Sequence, residues 1–143
     1  VATGLENPRG IKFGPDGRLY VAEGGLGGSR STVGTCTQVP PPVGPYLGGF
    51  TGRISAVDVA TGGRTTIARN LPSNVTAAAG GGFASSVADI AFLHGSLYAL
   101  IAGAGCSHGL AGTFTSIDSI STAGSATPIV NLSRFLKNHP VAH

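Results

Sequence analysis

Short runs of alternating apolar and polar residues, broken by glycine-containing turns, set the pattern of this chain. In PRGIKFGPDGRLYVAEGG, residues 8–25, two such runs flank Pro15-Asp16-Gly17. A looser copy, SVADIAFLHGSLYALIAGAG, occupies 86–105. Aligning Phe13 with Phe92 and Leu19-Tyr20 with Leu97-Tyr98 turns Gly-Ile-Lys-Phe…Leu-Tyr-Val-Ala into Asp-Ile-Ala-Phe…Leu-Tyr-Ala-Leu. Each copy predicts a β-hairpin around a turn holding Gly17 or Gly95, the first turn one residue longer.

The repetition continues downstream. Gly52–Asp58 (GRISAVD) matches Gly112–Asp118 (GTFTSID), a third strand with Ile54 and Phe114 on one side and Ser55 and Thr115 on the other. Gly-containing turns follow at 61–63 and 122–124, then a fourth strand near 64–69 and 125–131. The expected fold class is therefore all-β: two four-stranded up-and-down units, repeated head to tail as in β-propeller blades. Blade one spans about residues 7–71 and blade two about 84–131. A β-sandwich is the competing arrangement, but Greek-key sandwiches rarely repeat a blade motif in order. LSRFLKNH, from Leu132, has apolar residues at helical spacing and a cap at Asn131 or Ser133, predicting a short C-terminal helix over 132–138.

Two blades leave two apolar faces open, and repeat architectures need several units to bury them. The chain is thus expected to meet either the remainder of a propeller or further copies of itself; three two-blade chains would make six blades. The missing N-terminal Met and the abrupt C-terminus favour an excised segment.

Composition fits this reading. Of 143 residues, 24 are Gly and 9 Pro, and 10% are charged, against roughly 25% in an average domain. The net charge is +3, but its basic residues are scattered and lack an interleaved aromatic set, so nucleic acid is not an expected partner. No apolar run approaches the ~20 residues of a membrane span. Two cysteines, Cys36 and Cys106, and two sequons, at Asn74 and Asn131, point to an exported, extracellular protein and a candidate glycoprotein.

The stretches ATGLENPRGIKFGPDGRLYVAEGGLGG, GGFTGRISAVD, ARNLPS, VADIAF, SLYALI and NLSRFLKNHPVAH together resemble the ScyD/ScyE family. These are exported, NHL-like six-bladed propellers without well-established chemistry. The resemblance covers essentially the whole chain and implies its first two blades or so. The opening motif also occurs in sorbosone-dehydrogenase-like, strictosidine-synthase-like and gluconolactonase-like propellers.

Candidate site residues follow from the blade geometry, in which first strands line the central channel. Arg9 and Asp89 are placed near the axis, either as a charged pair facing a polar ligand or as a structural pair between blades. Glu23 ends the second strand; it is read as a channel-mouth carboxylate able to bind Ca²⁺ with Asp89, or as an acceptor for the following glycine-rich loop. Asp16 reads as a turn residue, and Asp58 and Asp118 as equivalent strand-end caps. Gly24–Gly28 lacks the Lys and the helix of a phosphate loop. The histidines at 94, 108, 139 and 143 are unclustered, and Ser107-His108 is a neighbour pair outside any nucleophile elbow. Cys36 and Cys106 fall in corresponding loops on one side of adjacent blades, which predicts a disulfide. Val39–Pro45 reads as a stiff, partly polyproline-like spacer or contact surface.

The function expected from this set is a non-enzymatic, exported binding or assembly module, with extracellular multimers as one form and no required cofactor. The alternative is an enzyme, a Ca²⁺-dependent lactonase-like hydrolase or a quinone-dependent sugar dehydrogenase, with Glu23 and Asp89 as the Ca²⁺ ligands available here.

Overall fold

A computed structural model of the protein describes residues 2–76 and 83–140. Its strands are β1 (Pro8–Phe13), β2 (Leu19–Glu23), β3 (Tyr46–Val57), β4 (Arg64–Thr76), β5 (Ala84–Ser85), β6 (Val87–Leu93), β7 (Ser96–Ile101), β8 (Ser116–Ile120) and β9 (Ala126–Asn131). The helix α1 (Leu132–Asn138) follows. They form two antiparallel sheets in sequence order, β1-β2-β3-β4-β5 and β6-β7-β8-β9. His143 lies outside the described residues.

The hairpins form where the alternating pattern places them. Gly17 and Gly95 both have positive φ, as does His94, so the two-residue turn His94-Gly95 closes β6 onto β7 with the twist that strands favour. Phe13 pairs with Leu19 and Phe92 with Leu97, and both inner strands carry an irregularity at the same place, after Pro8 and after Val87. Asn131 caps α1, its Oδ1 accepting from the Arg134 N–H at 2.8 Å.

Three expectations are corrected. First, the third strands align with a shift of three residues. Leu19 pairs with Val57 and Leu97 with Ile120, so Ser55, not Asp58, is the counterpart of Asp118. Asp58 does cap its turn, accepting from the N–H groups of Ala60 and Thr61. Ser121 takes the corresponding place in the second sheet, while Asp118 lies buried inside β8. The strand also starts at Ser116, which leaves Phe114 and Thr115 outside it. Second, the first unit is larger than its repeat: β3 begins at Tyr46, β4 runs to Thr76, and β5, at residues expected to open the second unit, pairs with β4 instead. Third, Val39–Pro45 is not a continuous polyproline-like stretch, because the Gly44 N–H bonds back to the Pro40 carbonyl in a turn.

The core lies between the two sheets. Tyr20, Ala22, Ile54, Ala56, Ala68 and Leu71 of the first meet Val87, Ile90, Leu97, Ala99, Ile101 and Ile120 of the second. Tyr20 and Phe92 cross edge to face with ring centroids 4.9 Å apart. The hydroxyl of Tyr20 is anchored by Asp16, which also takes Arg18 at 2.7 Å, so the turn residue fixes a core aromatic.

The faces that meet are not equivalent. By register, Tyr20, Ala22, Ile54 and Ala56 correspond to Tyr98, Leu100, Ile117 and Ser119. Those four sit on the far side of the second sheet. What the second sheet turns toward the first is Leu97, Ala99 and Ile101, the counterparts of Leu19, Val21 and Glu23. The front of one repeat therefore packs on the back of the next. A sandwich built from two copies related by a twofold axis would pair like with like. The back of the first sheet exposes Ile11 (55%) and Phe13 (68%). The segment from Ala2 to Pro8 crosses part of it, beside a shallow cavity of about 270 Å³.

Candidate functional site

Three places concentrate the polar chemistry: the Glu23 corner, the seam between the innermost strands, and the loop platform that holds the cysteines.

Glu23 is fully buried at the end of β2. One carboxylate oxygen accepts the Glu6 N–H at 2.6 Å and pairs with Arg53 Nη2 at 2.8 Å. The other accepts the Ser55 hydroxyl and lies 3.8 Å from Arg64 Nη1. Burial pushes this carboxyl up, but the Arg53, Ser55 and Glu6 hydrogen bonds outweigh it and hold the group below the usual glutamate value. Glu23 stays ionised with both oxygens committed. Where a cation bound to Glu23 would lie, this structure places the guanidinium groups of Arg53 and Arg64. The glycine-rich loop is not the partner of Glu23, since Gly24 and Gly25 donate to the Asn7 and Glu6 carbonyls. The network ties the N-terminal segment to the sheet, with Arg53 also donating to Gly4 O at 2.6 Å.

Arg9 and Asp89 do come from neighbouring inner strands. Gly10 lies so close to Asp89 that a Cβ there would fall 2.8 Å from the Asp89 Cα, and only glycine permits this approach of β1 to β6. The expected charged pair is not formed. Arg9 reaches the Ala84 carbonyl, and Asp89 Oδ1 accepts the Ile90 N–H at 2.9 Å. Among the described residues no three His, Cys, Asp or Glu side chains gather in a way that would hold a metal ion.

The platform joins the loop after β2 to the loop after β7. Cys36 and Cys106 form a disulfide with Cα atoms 6.3 Å apart, as their loop positions predict. Thr32 donates to the Cys106 carbonyl, and Gln38 Nε2 donates to Thr32 O and Cys36 O at 3.0 and 2.8 Å. Arg30 bridges Gly48 of β3, and Leu110 is buried against that contact. The rings of Tyr46 and His108 meet at a tilt of 31°, with centroids 4.7 Å apart. Burial pushes the His108 imidazole down, keeping it neutral near pH 7. Ser107 Oγ lies 3.0 Å from its Nδ1, but this pair sits in the short 3₁₀ turn Cys106–His108 and is a packing contact of the platform.

The sequons separate. Asn74 is fully buried in β4 with its amide donating to Gly103 O, so in the folded chain it is not a glycan acceptor. Asn131 is partly exposed at the helix cap, its Nδ2 not used by that cap.

Sequence reasoning missed Asp118, because the three-residue misalignment made it a turn cap. Its burial, on one face of β8 with Ser116 and Ile120, follows from the strand register, for which the sequence SIDSI carries no signal. No family model matches the chain, and no curated protein matches it. No helix among the described residues is long and apolar enough to cross a membrane.

Proposed function

We propose that the chain forms two successive blades of a β-propeller, of the kind the ScyD/ScyE resemblance implies, and that it serves as an exported, non-enzymatic binding and assembly module. The observation that carries this reading is the front-on-back packing of the two sheets. A head-to-tail relation does not close on two units; it leaves one front and one back unpaired, and such interfaces continue until a ring or filament forms. The unpaired back carries Ile11 and Phe13, and the unpaired front carries Tyr98, Leu100, Ile117 and Val130. Each resembles the face that its counterpart buries inside the chain. Further blades, from a longer chain or from other copies, are the fitting occupants.

The disulfide and the low density of charge support an oxidising compartment. Against the enzyme reading, Glu23 is engaged by arginines, and Asp89 accepts the N–H of the adjacent Ile90.

The reading is tested by the mass of the purified chain in solution. Light scattering at increasing concentration is expected to show multimers of this chain, and Phe13→Asp, on the open back face, is expected to dissociate them. A chain that stays monomeric at about 100 µM, or a Phe13→Asp variant with unchanged mass, would remove self-assembly. A full-length product with the same faces buried would leave only the intramolecular ring.

A further inference from the structure

A cleft of about 660 Å³ opens between the two sheets, with β4 on one side and the turn 121–125 and β9 on the other. Asp118 lines it. The side chain is about nineteen-twentieths buried, 6% exposed, yet its Oδ1 has no hydrogen-bond partner in the protein. An enclosed carboxylate oxygen without a donor is costly, so buried charges are ordinarily paired.

The repeat itself shows what belongs there. In the first sheet the corresponding corner holds Glu23, Arg53, Ser55 and Arg64. By register, the second sheet replaces these with Ile101, Ser116, Asp118 and Ala126. The carboxylate has moved one strand outward, and both arginines are gone. Ala126 lines the cleft at the position where Arg64 fills the first sheet. The corner thus keeps an anion and loses its guanidinium groups, leaving space beside the carboxylate. Arg69 of β4 lines the same cleft and makes no ion pair among the described residues.

We propose that this cleft is a binding site for a small organic cation, a guanidinium or primary ammonium compound, with Asp118 as its anchor. A ligand that also carries a carboxylate meets Arg69 and is favoured over a bare cation. The site depends only on contacts between these two sheets and so holds whether or not the outer faces are covered.

The probe is L-arginine, compared with L-citrulline, which has the same shape with a neutral urea in place of the guanidinium. Titration of the intact, oxidised chain by calorimetry or NMR is expected to show saturable arginine binding and citrulline weaker by about tenfold or more, the loss of one charge-assisted hydrogen bond. Asp118→Asn is expected to erase that preference while melting no lower than the parent chain, since the amide removes an unpaired buried charge. Ala123→Trp, on the exposed turn at the rim, is expected to block arginine without touching the core. It decides the matter if Asp118→Asn does not fold. The proposal is overturned if arginine shows no saturable binding up to about 20 mM, if citrulline binds equally well, or if a folded Asp118→Asn or Ala123→Trp chain binds arginine like the parent.

Discussion

Replacing Cys36 and Cys106 together by serine opens a covalent loop with a sequence separation of 70. For a loop of that length, chain entropy lost from the unfolded ensemble amounts to about 4 kcal/mol at 25 °C. The folded side of the balance changes little. The Thr32 hydroxyl, which donates to the Cys106 carbonyl, and buried Leu110, seated against the Arg30–Gly48 bridge, hold the two loops together through contacts that do not involve sulfur–sulfur bonding. The effect should therefore appear as destabilisation without rearrangement. Equilibrium urea unfolding of the oxidised parent and the double variant is expected to differ by about 4 kcal/mol, with a steeper denaturant slope for the variant because its unlinked unfolded state exposes more surface. The melting temperature should fall by about 10–15 °C. A loss below about 1 kcal/mol with native spectra retained would refute the reasoning. It would mean that the loops after β2 and β7 stay together in the unfolded chain without the bond.

Other consequences are as direct. Because Glu23 is held below the usual value of 4.5, its stabilisation is complete above that pH and lost as pH falls through the folded value; acid unfolding followed by circular dichroism should show this loss, and Glu23→Gln should flatten it at the cost of lower stability near pH 7. Ile54→Ala removes a side chain with 0% exposure from the interface between the sheets, and denaturant unfolding should register a loss of about 2–5 kcal/mol. Gly109 has φ +80°, and a Cβ there would fall 2.6 Å from Gly48 N and 2.9 Å from Arg30 O, so Gly109→Ala should cost about 1–3 kcal/mol by the same measurement. Expressed in a glycosylating host, the chain should carry no glycan at Asn74; its recovery on that peptide by mass spectrometry would contradict the burial of the side chain.

The local period was legible in the amino-acid sequence. Alternation of apolar residues, positive-φ glycines at 17 and 95, and the Asn131 cap are short-range features, and each placed its hairpin or helix. The disulfide was legible too, because corresponding loops of adjacent sheets leave on one side. What the sequence could not show was register between strands far apart in the chain. Gly52–Asp58 and Gly112–Asp118 look alike as text, yet side-chain burial and the pairings of Leu19 with Val57 and Leu97 with Ile120 shift them by three residues. That shift turned Asp118 from a presumed cap into a buried carboxylate. The same holds for Glu23, whose neighbours Glu6, Ser55, Arg53 and Arg64 come from three segments, the N-terminal stretch, β3 and β4, and converge only when the sheet forms. Local propensity is decided by neighbours along the chain. The pairing of charges, the choice of which face meets which, and the space left where Arg64 has no counterpart are decided by packing, which acts between residues that the sequence keeps apart.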